Sequence, residues 1–274
     1  MKRVATIILN RNLPDVTNQL CEHLIQYDAD STDLYVIEAG SDLENLSRYS
    51  TWYVDTPDVV NQGLRYCRGM NYGLSQLWKE NKFSQYDAFF LLTNDTELQK
   101  IPTVNPLMRI LDQHPRVGIL SPCSERWGER LLLNKSPIKY FWFIHNNAYL
   151  LRREFIESVC NGDRPDFMNF LFDGTNFRGY GSESELIAKA YVNDWAAAIT
   201  SEVWANENES YLIDKADLIK TECYEENIKL YIEEGLCWMR GKYGFKSRWS
   251  MQQYVKTFYD HFFEFHPEFK SYQL

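Results

Sequence analysis

Short apolar runs alternate with longer segments of helical periodicity over the first two thirds of the chain. The apolar runs predict five buried strands, at residues 4–10, 34–37, 51–54, 87–93 and 117–120. Between them, apolar residues recur every three to four positions, most clearly over residues 14–27 and from residue 60 to residue 80, which predicts helices. Strands that alternate with helices over short links favour an α/β fold, in which a mostly parallel sheet carries helices on both faces.

The pattern changes to helical periodicity alone after residue 210. We therefore expect one domain at residues 1–210 and a helical extension at residues 211–274 that docks on it. The last helix has a strongly apolar face, formed by Met251, Tyr254, Val255, Phe258, Tyr259, Phe262 and Phe263.

Four basic residues precede this last helix, and they are Arg240, Lys242, Lys246 and Arg248. A basic stretch beside an aromatic helix has three interpretations: docking on the domain, pairing of two copies of the chain, or peripheral contact with an anionic membrane surface. Docking is favoured, because Asp260, Glu264 and Glu268 on the same helix would repel anionic lipid.

Composition excludes several classes of protein. Apolar residues make up 45% of the chain and charged residues 24%, which excludes a disordered chain. The net charge of −9 argues against a nucleic-acid partner. No apolar run approaches the roughly 18 residues that span a bilayer, and the first residues lack a signal-peptide cleavage site. Because the six cysteines also form no CxxC pair, we expect a cytoplasmic protein.

Polar residues directly follow three of the predicted strands, at residues 10–12 (NRN), 38–42 (EAGSD) and 93–97 (TNDTE). Ligands of parallel α/β sheets bind outside the carboxyl ends of the strands, so these turns are expected to share one site. The acidic and amide side chains after residue 92 suit a divalent cation that bridges phosphate oxygens. The alternative is a turn in which Asn and Asp cap the backbone.

Five segments, in order along the chain, resemble the motifs of inverting family-2 glycosyltransferases. Residues 91–98 (LLTNDTEL) resemble that family's metal-binding DxD region, and the other four are residues 7–12 (IILNRN), 36–42 (VIEAGSD), 68–74 (RGMNYGL) and 180–186 (YGSESEL). The resemblance implies a Rossmann-like GT-A fold and a nucleoside-diphosphate sugar donor, UDP- or dTDP-linked. It further implies a glycan or glycolipid acceptor and Mn²⁺ or Mg²⁺ as cofactor.

The resemblance also implies roles for individual residues. Glu183 matches the catalytic base, Asp95 matches the metal-binding Asp, and Thr93 stands where the motif has its first Asp. Glu38 matches the residue that reads the nucleotide base. The other residues implied in donor binding are Asn10, Arg11, Arg68, Asn71 and Asn94. The resembled family often has a further metal-binding His later in the chain, and this sequence has none in the matching region, residues 203–206 (VWAN). Thr93 and this missing His leave an alternative function: a weak or inactive module of the same fold that binds a sugar or nucleotide.

The residues around Glu183 also support its role as the catalytic base. Leu186 and Ala190 mark the buried face of the helix that follows, and Glu183 lies on that face one turn earlier. Its carboxylate would then face the carboxyl edge of the sheet. The alternative is helix capping, because Ser182 and Glu185 have the spacing of a capping box.

One further residue and one short segment have open interpretations. Asn71 falls on the apolar stripe of its predicted helix, so its amide must find partners; a nucleotide or nearby backbone groups would serve. Residues 146–148 (NNA) are weaker candidates to line an acceptor pocket.

Overall fold

The computed structural model describes residues 3–126, 128–133, 136–144 and 148–274. Residues 146 and 147 therefore lie outside the described residues. Within the described ranges the strands are β1 (Val4–Asn10), β2 (Thr32–Ala39), β3 (Ser50–Val54), β4 (Ala88–Thr93), β5 (Thr96–Leu98), β6 (Val117–Cys123), β7 (Ile138–Tyr140), β8 (Tyr149–Arg152) and β9 (Ala196–Glu207). The α-helices are α1 (Pro14–Asp28), α2 (Pro57–Gln62), α3 (Arg65–Lys79), α4 (Val104–Gln113), α5 (Glu129–Leu133), α6 (Arg153–Val159), α7 (Ser182–Val192), α8 (Glu209–Ile213), α9 (Tyr224–Tyr243) and α10 (Arg248–Phe265).

These strands form one sheet in the order β3-β2-β1-β4-β8-β6-β9-β5, and β7 pairs with β9. The predicted α/β class is confirmed, and β1 pairs in parallel with both β2 and β4. The second half of the sheet is mixed, because β8 runs antiparallel to both β4 and β6. β5 and β7 likewise run antiparallel to β9. Antiparallel neighbours do not need a crossover helix, so the alternation of strands and helices could not reveal them.

The helix predicted from residue 60 to residue 80 is two helices. Gly63 ends α2 with a φ of +73°, a conformation that favours glycine. A Cβ at this position would lie 2.8 Å from Nη1 of Arg11. Gly63 therefore permits both the break in the helix and the close approach of the Arg11 guanidinium.

The apolar face of α10 is buried against the domain. Met251, Val255, Tyr259, Phe262 and Phe263 are all buried, whereas Tyr254 and Phe258 are partly buried. α10 packs on α7. The hydroxyl of Tyr259 donates to the carbonyl of Tyr140 at 3.3 Å and accepts the N–H of Leu274 at 2.7 Å.

This face is therefore occupied by the protein itself. No helix among the described residues is both long and apolar enough to cross a membrane. The domain boundary near residue 210 and the pairing of two copies stay predictions.

We predict that Phe262→Ala lowers the free energy of unfolding by about 3–5 kcal/mol, because it leaves a cavity where the ring packs. Phe262 is 3% exposed, whereas Phe265 on the same helix is 77% exposed. The matched control Phe265→Ala should change the free energy by less than about 0.5 kcal/mol. Urea denaturation measures both changes, and equal losses would show that α10 does not dock through this face.

Candidate active site

The carboxyl ends of β1, β2 and β4 meet in a buried polar network. Nδ2 of Asn10 donates to Oε2 of Glu38 at 2.8 Å, and Oδ1 of Asn10 accepts from Nδ2 of Asn94 at 3.1 Å. Asn10 and Glu38 are fully buried, and Asn94 is buried. The three polar turns singled out in the sequence therefore lie together at one edge of the sheet.

Glu38 is held entirely by the protein. Its carboxylate also accepts the hydroxyl of Ser41 at 2.7 Å and the N–H of Ser47 at 2.8 Å. Burial raises the pKa of Glu38, and these hydrogen bonds partly oppose that shift. Since the side chain has no exposed surface, a nucleotide base would have to displace these partners to reach it. The implied role of Glu38 stays a prediction.

Arg11 joins several segments of the chain. Its guanidinium donates to the backbone carbonyls of Ala39, Val59, Val60 and Ile219. Burial, together with the nearby cation of Arg65, lowers the pKa of Arg11 to about 10. Arg11 thus ties the end of β2 to α2 and to the segment before α9.

Residues 218–220 lie across the turns that follow β1 and β2. Nδ2 of Asn12 donates to the carbonyl of Leu218 at 2.8 Å. Nζ of Lys220 lies 2.6 Å from Oδ1 of Asp42. Together with the bond from Arg11, these contacts place a piece of the C-terminal extension over two of the three polar turns. No local pattern in the sequence predicted this cover.

Arg68 and Asn71 position the loop that precedes α7. The fully buried amide of Asn71 makes four hydrogen bonds with backbone groups of residues 167–172. Nε of Arg68 donates to the carbonyl of Gly174 at 2.7 Å, and its guanidinium lies 4.7 Å from the ring centre of Phe177. Backbone partners thus satisfy Asn71, and a donor contact by either residue stays a prediction.

The predicted metal-binding turn joins β4 to β5. Asp95 is 6% exposed, and its carbonyl accepts the N–H of Asn208 at 3.0 Å. The hydroxyls of Thr93 and Thr96 lie 3.3 Å apart. Thr96 pairs with Glu207 across the antiparallel strands β5 and β9, so a second carboxylate residue lies beside the turn.

This donor set fits a cation only in part. Within the described residues, no group of three or more His, Cys, Asp or Glu side chains is arranged to hold a metal ion. Two carboxylate residues and a hydroxyl suit a hard cation that takes its remaining oxygen ligands from substrate and water. Sequence reasoning missed Glu207, because its place opposite Thr96 depends on the pairing of two strands distant in the chain.

A cavity of about 870 Å³ opens between α7 and the C-terminal extension. Glu183 and Glu207 both line it. Its aromatic wall consists of Phe141, Trp142, Phe143, Tyr180, Tyr231 and Trp249. This volume is within the range of small-molecule sites in proteins. Glu207 also lies opposite Thr96, the residue after the predicted metal-binding Asp95, whereas Asp95 and Thr93 themselves do not line the cavity.

Glu183 lies in the first turn of α7, after Gly181 with a φ of +81°. A side chain at Gly181 would also meet the methyl end of Met239 of α9, but that flexible side chain can shift, so the positive φ is what requires glycine here. Burial raises the pKa of Glu183 to about 7, although backbone N–H groups and the hydroxyl of Ser184 oppose the shift. A carboxyl group with a pKa near 7 is suited to accept a proton at neutral pH.

The capping-box alternative is wrong. Ser182 is the first residue of α7 and not its cap, and no side chain caps this helix. Glu185 is 2% exposed and instead accepts a hydrogen bond from Tyr243 and forms an ion pair with Lys242 at 2.7 Å. Glu185 therefore fastens α9 to α7, while Glu183 faces the cavity.

The sequence matches no protein-family model and no curated protein. Among solved structures, residues 1–349 of S. aureus TarS match with a TM-score of 0.53 at 12% identity, over 88% of this chain and 73% of that chain. The complex of TarS 1–349 with UDP-GlcNAc matches with a TM-score of 0.51 at 12% identity, over 88% and 74%. The mannosyltransferase PcManGT from Pyrobaculum calidifontis, in complex with GDP-Man and Mn²⁺, has a TM-score of 0.49 at 12% identity, over 93% and 85%.

The chain has the GT-A fold. The fold that the five motifs imply is thereby confirmed. At 12% identity the likeness to TarS extends to the fold alone. The chemistry of the chain must therefore be argued from its own residues.

We predict that Glu183→Gln stabilises the protein at about pH 8 by roughly 1–3 kcal/mol. The wild-type protein loses stability as the pH rises from 4.5, the ordinary pKa of the group, to about 7, its folded value, because the partly buried group must then ionise in surroundings that disfavour its charge. Glutamine has no such charge, so the two proteins should be equally stable below about pH 4.5.

The matched control is Glu185→Gln, two residues along the same helix. It removes the buried charge that pairs with Lys242, although Lys242 is 37% exposed and keeps its ion pair with Asp173 at 2.6 Å. The variant should therefore lower the free energy of unfolding by about 1–3 kcal/mol at neutral pH, through the weakened hydrogen bonds of the buried group. Thermal denaturation between about pH 4 and pH 8 measures both variants. A loss of stability in Glu183→Gln at every pH would instead give Glu183 a structural role at the helix start.

Proposed function

We propose that the chain is an inverting glycosyltransferase that moves a sugar from a nucleoside-diphosphate sugar to an acceptor hydroxyl, most simply that of a glycan. The observation that carries the proposal is Glu183, a carboxyl group with a pKa of about 7 in the wall of a cavity beside the strand ends of a GT-A fold. The UDP-GlcNAc complex of TarS supports a nucleotide sugar as the donor class.

In this mechanism Glu183 accepts the proton of the acceptor hydroxyl as its oxygen attacks the anomeric carbon. The bond between that carbon and the diphosphate oxygen breaks as the new bond forms, and one displacement inverts the configuration. A positioned general base contributes typically about 10²- to 10⁴-fold. At a pKa of about 7, a substantial fraction of Glu183 is ionised at neutral pH and ready to act.

Asp95 would hold Mn²⁺ or Mg²⁺, with Glu207 as a second carboxylate and Thr93 as a weaker oxygen ligand. When bound, the cation neutralises the charge that develops on the leaving diphosphate. The diphosphate oxygens would complete a ligand set that the protein supplies only in part.

The donor nucleotide, UDP- or dTDP-linked, would lie against the turns after β1 and β2. Asn10, Glu38 and Asn94 form the floor of this region through their buried network. The nucleotide would take over contacts that residues 218–220 now make with Arg11 and Asn12. Arg68 and Asn71 would act through the loop that they hold in front of α7.

A catalytically weak or inactive binding module of the same fold is the second candidate. Thr93 in place of an Asp favours it, as does the lack of a three-residue metal group among the described residues. Release of nucleoside diphosphate from a panel of donors, with Mn²⁺ or Mg²⁺ present, separates the two functions. A cytoplasmic location and peripheral membrane contact stay predictions.

We predict that Glu183→Gln lowers kcat by roughly 10²-fold or more and leaves the donor KM nearly unchanged, because the amide cannot accept a proton. In the wild-type enzyme, kcat should fall as the pH drops below about 7, where Glu183 becomes protonated. The residual activity of the variant should lack this dependence. The control Glu233→Gln, on the exposed side of α9, should keep wild-type kinetics. Near wild-type turnover of Glu183→Gln would exclude it as the base.

We predict that Asp95→Asn weakens Mn²⁺-dependent binding of UDP-sugars by about tenfold or more, because a neutral amide is a poor ligand for a hard cation. The control is Glu97→Gln, two residues away, whose exposed carboxylate pairs with Arg126. Calorimetric titration with and without EDTA measures both variants. Wild-type binding that is insensitive to EDTA would show that donor binding needs no metal.

A further inference from the structure

Residues 214–222, between α8 and α9, lie as a strap over the turns that follow β1 and β2. The carbonyl of Leu218 accepts from Nδ2 of Asn12 at 2.8 Å, and the carbonyl of Ile219 accepts from Nε of Arg11 at 2.7 Å. Each residue of the strap is at least partly exposed, so polar contacts hold it in place rather than buried apolar side chains. A segment with little buried apolar surface opens at a low cost in free energy. The strap can therefore leave the strand ends while the domain stays folded.

A latch of five residues holds the end of the strap, and its members are Arg65, Arg178, Thr221, Glu222 and Glu234. Nη2 of Arg65 donates to Oγ1 of Thr221 at 2.8 Å. Nη2 of Arg178 donates to Oε1 of Glu222 at 2.5 Å, and Nη1 of Arg178 donates to Glu234 of α9. Arg178 is only 8% exposed, and charge-assisted hydrogen bonds are among the stronger polar contacts in proteins. The latch therefore contributes more to holding the strap than its single bonds at the strand ends do.

Two polar atoms of the latch are left unsatisfied. Within the described residues, Nε of Arg65 and Oε2 of Glu234 are buried and have no hydrogen-bond partner. Both residues line a pocket of about 430 Å³ beside the strap. The charge of Glu234 also acts on Arg65, since it opposes the fall in pKa that burial of this guanidinium causes. Buried polar groups without partners are costly. Departure of Glu222 would let Arg65 turn to Glu234 and satisfy both atoms, so the latch has a second arrangement open to it.

The backbone of the strap is strained between the strand ends and the latch. Lys220 has a φ of +51°, in the left-handed region that a lysine seldom adopts. A residue in such a conformation persists only where its surroundings hold it there. Release of the strap would relieve this strain, which favours opening once the latch is broken.

We propose that the strap is an autoinhibitory segment, which covers the turns where the donor nucleotide binds and which a nucleoside diphosphate must displace. This inference rests on the proposed function. Molecules with a closed strap cannot bind the nucleotide, so the apparent affinity is reduced in proportion to the open fraction. A weaker latch should therefore tighten nucleotide binding, which is the opposite of what the loss of a binding contact does.

The first test is calorimetric titration with UDP and with dTDP. Glu222→Gln weakens the latch and should bind at least one of the two nucleotides about three- to tenfold more tightly than the wild type. Thr221→Val, which removes the hydroxyl that Arg65 binds, should act in the same direction. The control Glu226→Gln removes an exposed ion pair with Lys229 in the first turn of α9 and should bind as the wild type does. Thermal denaturation checks that each variant is folded.

Limited digestion with trypsin reports the position of the strap, because Lys215 and Lys220 lie within it. In the wild type, saturating UDP or dTDP should speed cleavage after these two residues by about tenfold, since an open segment is cleaved more readily. Glu222→Gln should be cleaved faster than the wild type without any nucleotide. Protection of the wild type by nucleotide would show that the strap closes over the ligand, and the inference would be wrong.

Equal or weaker nucleotide binding by Glu222→Gln would also overturn the inference. Release of nucleoside diphosphate from UDP- and dTDP-sugars is measured separately. If the wild type turns over a donor but Glu222→Gln binds nucleotide no more tightly, only the autoinhibition fails. If Glu222→Gln binds more tightly and no donor is turned over, the glycosyltransferase proposal fails and the strap remains the gate of a nucleotide-binding module. If neither protein binds UDP or dTDP, both proposals fail.

Discussion

The buried carboxylate of Glu185 joins α7 to α9, and the environment of Glu183 depends on that joint. Lys242 forms ion pairs with both Glu185 and Asp173, at 2.7 and 2.6 Å. Burial would raise the pKa of Asp173, but the hydrogen bonds from Lys242, Thr175 and Trp238 outweigh it and hold that pKa well below its ordinary value. The joint keeps α9 over the start of α7. Without this cover, Glu183 would face water and its pKa would be that of an ordinary carboxylate.

Glu183 and Glu185 lie in the same first turn of α7 but differ in their surroundings and therefore in their roles. Glu185 is matched by a cation and a phenol, and it fastens two helices together. Glu183 has no cation in an ion pair within the described residues, and burial therefore favours its protonated form. An ionisable group in surroundings that disfavour its charge destabilises the fold. Such groups are expected at catalytic sites, where the shifted pKa serves the reaction. Residues of α9 and α10 thus line the same cavity as Glu183.

Local patterns in the sequence were sufficient for the first half of the fold. The apolar runs of β1, β2, β3, β4 and β6 predicted those strands, and the polar turns after three of them were correctly expected to meet. The apolar face of α10 likewise predicted docking. Each of these features is a local pattern whose consequence follows from the geometry of a strand or helix.

The remaining features depend on pairings between distant segments. β8 has four residues, too few to show a period, and its insertion between β4 and β6 makes the centre of the sheet mixed. Glu207 reaches the turn after β4 through the pairing of β5 with β9. Glu38 illustrates a different limit, because a motif gives the position of a carboxylate and not whether it faces a ligand or the core. The spacing of Ser182 and Glu185 fitted a cap, but the shorter of the two ion pairs of Glu185 is with Lys242, 57 residues later.

The hydrogen bonds at the strand ends bear on how a donor would bind. Asn12 and Arg11 already have backbone partners in residues 218 and 219, so a nucleotide there would exchange one set of hydrogen bonds for another. Such exchanges are nearly neutral in free energy, since each net bond contributes only about 0.5–1.5 kcal/mol. The ion pair of Lys220 with Asp42 is partly exposed and adds little to holding the segment in place. The strand-end contacts would therefore decide the orientation of the donor more than its affinity. Affinity would come from the diphosphate and its cation near Asp95, the part of the site where the protein's own ligands are incomplete.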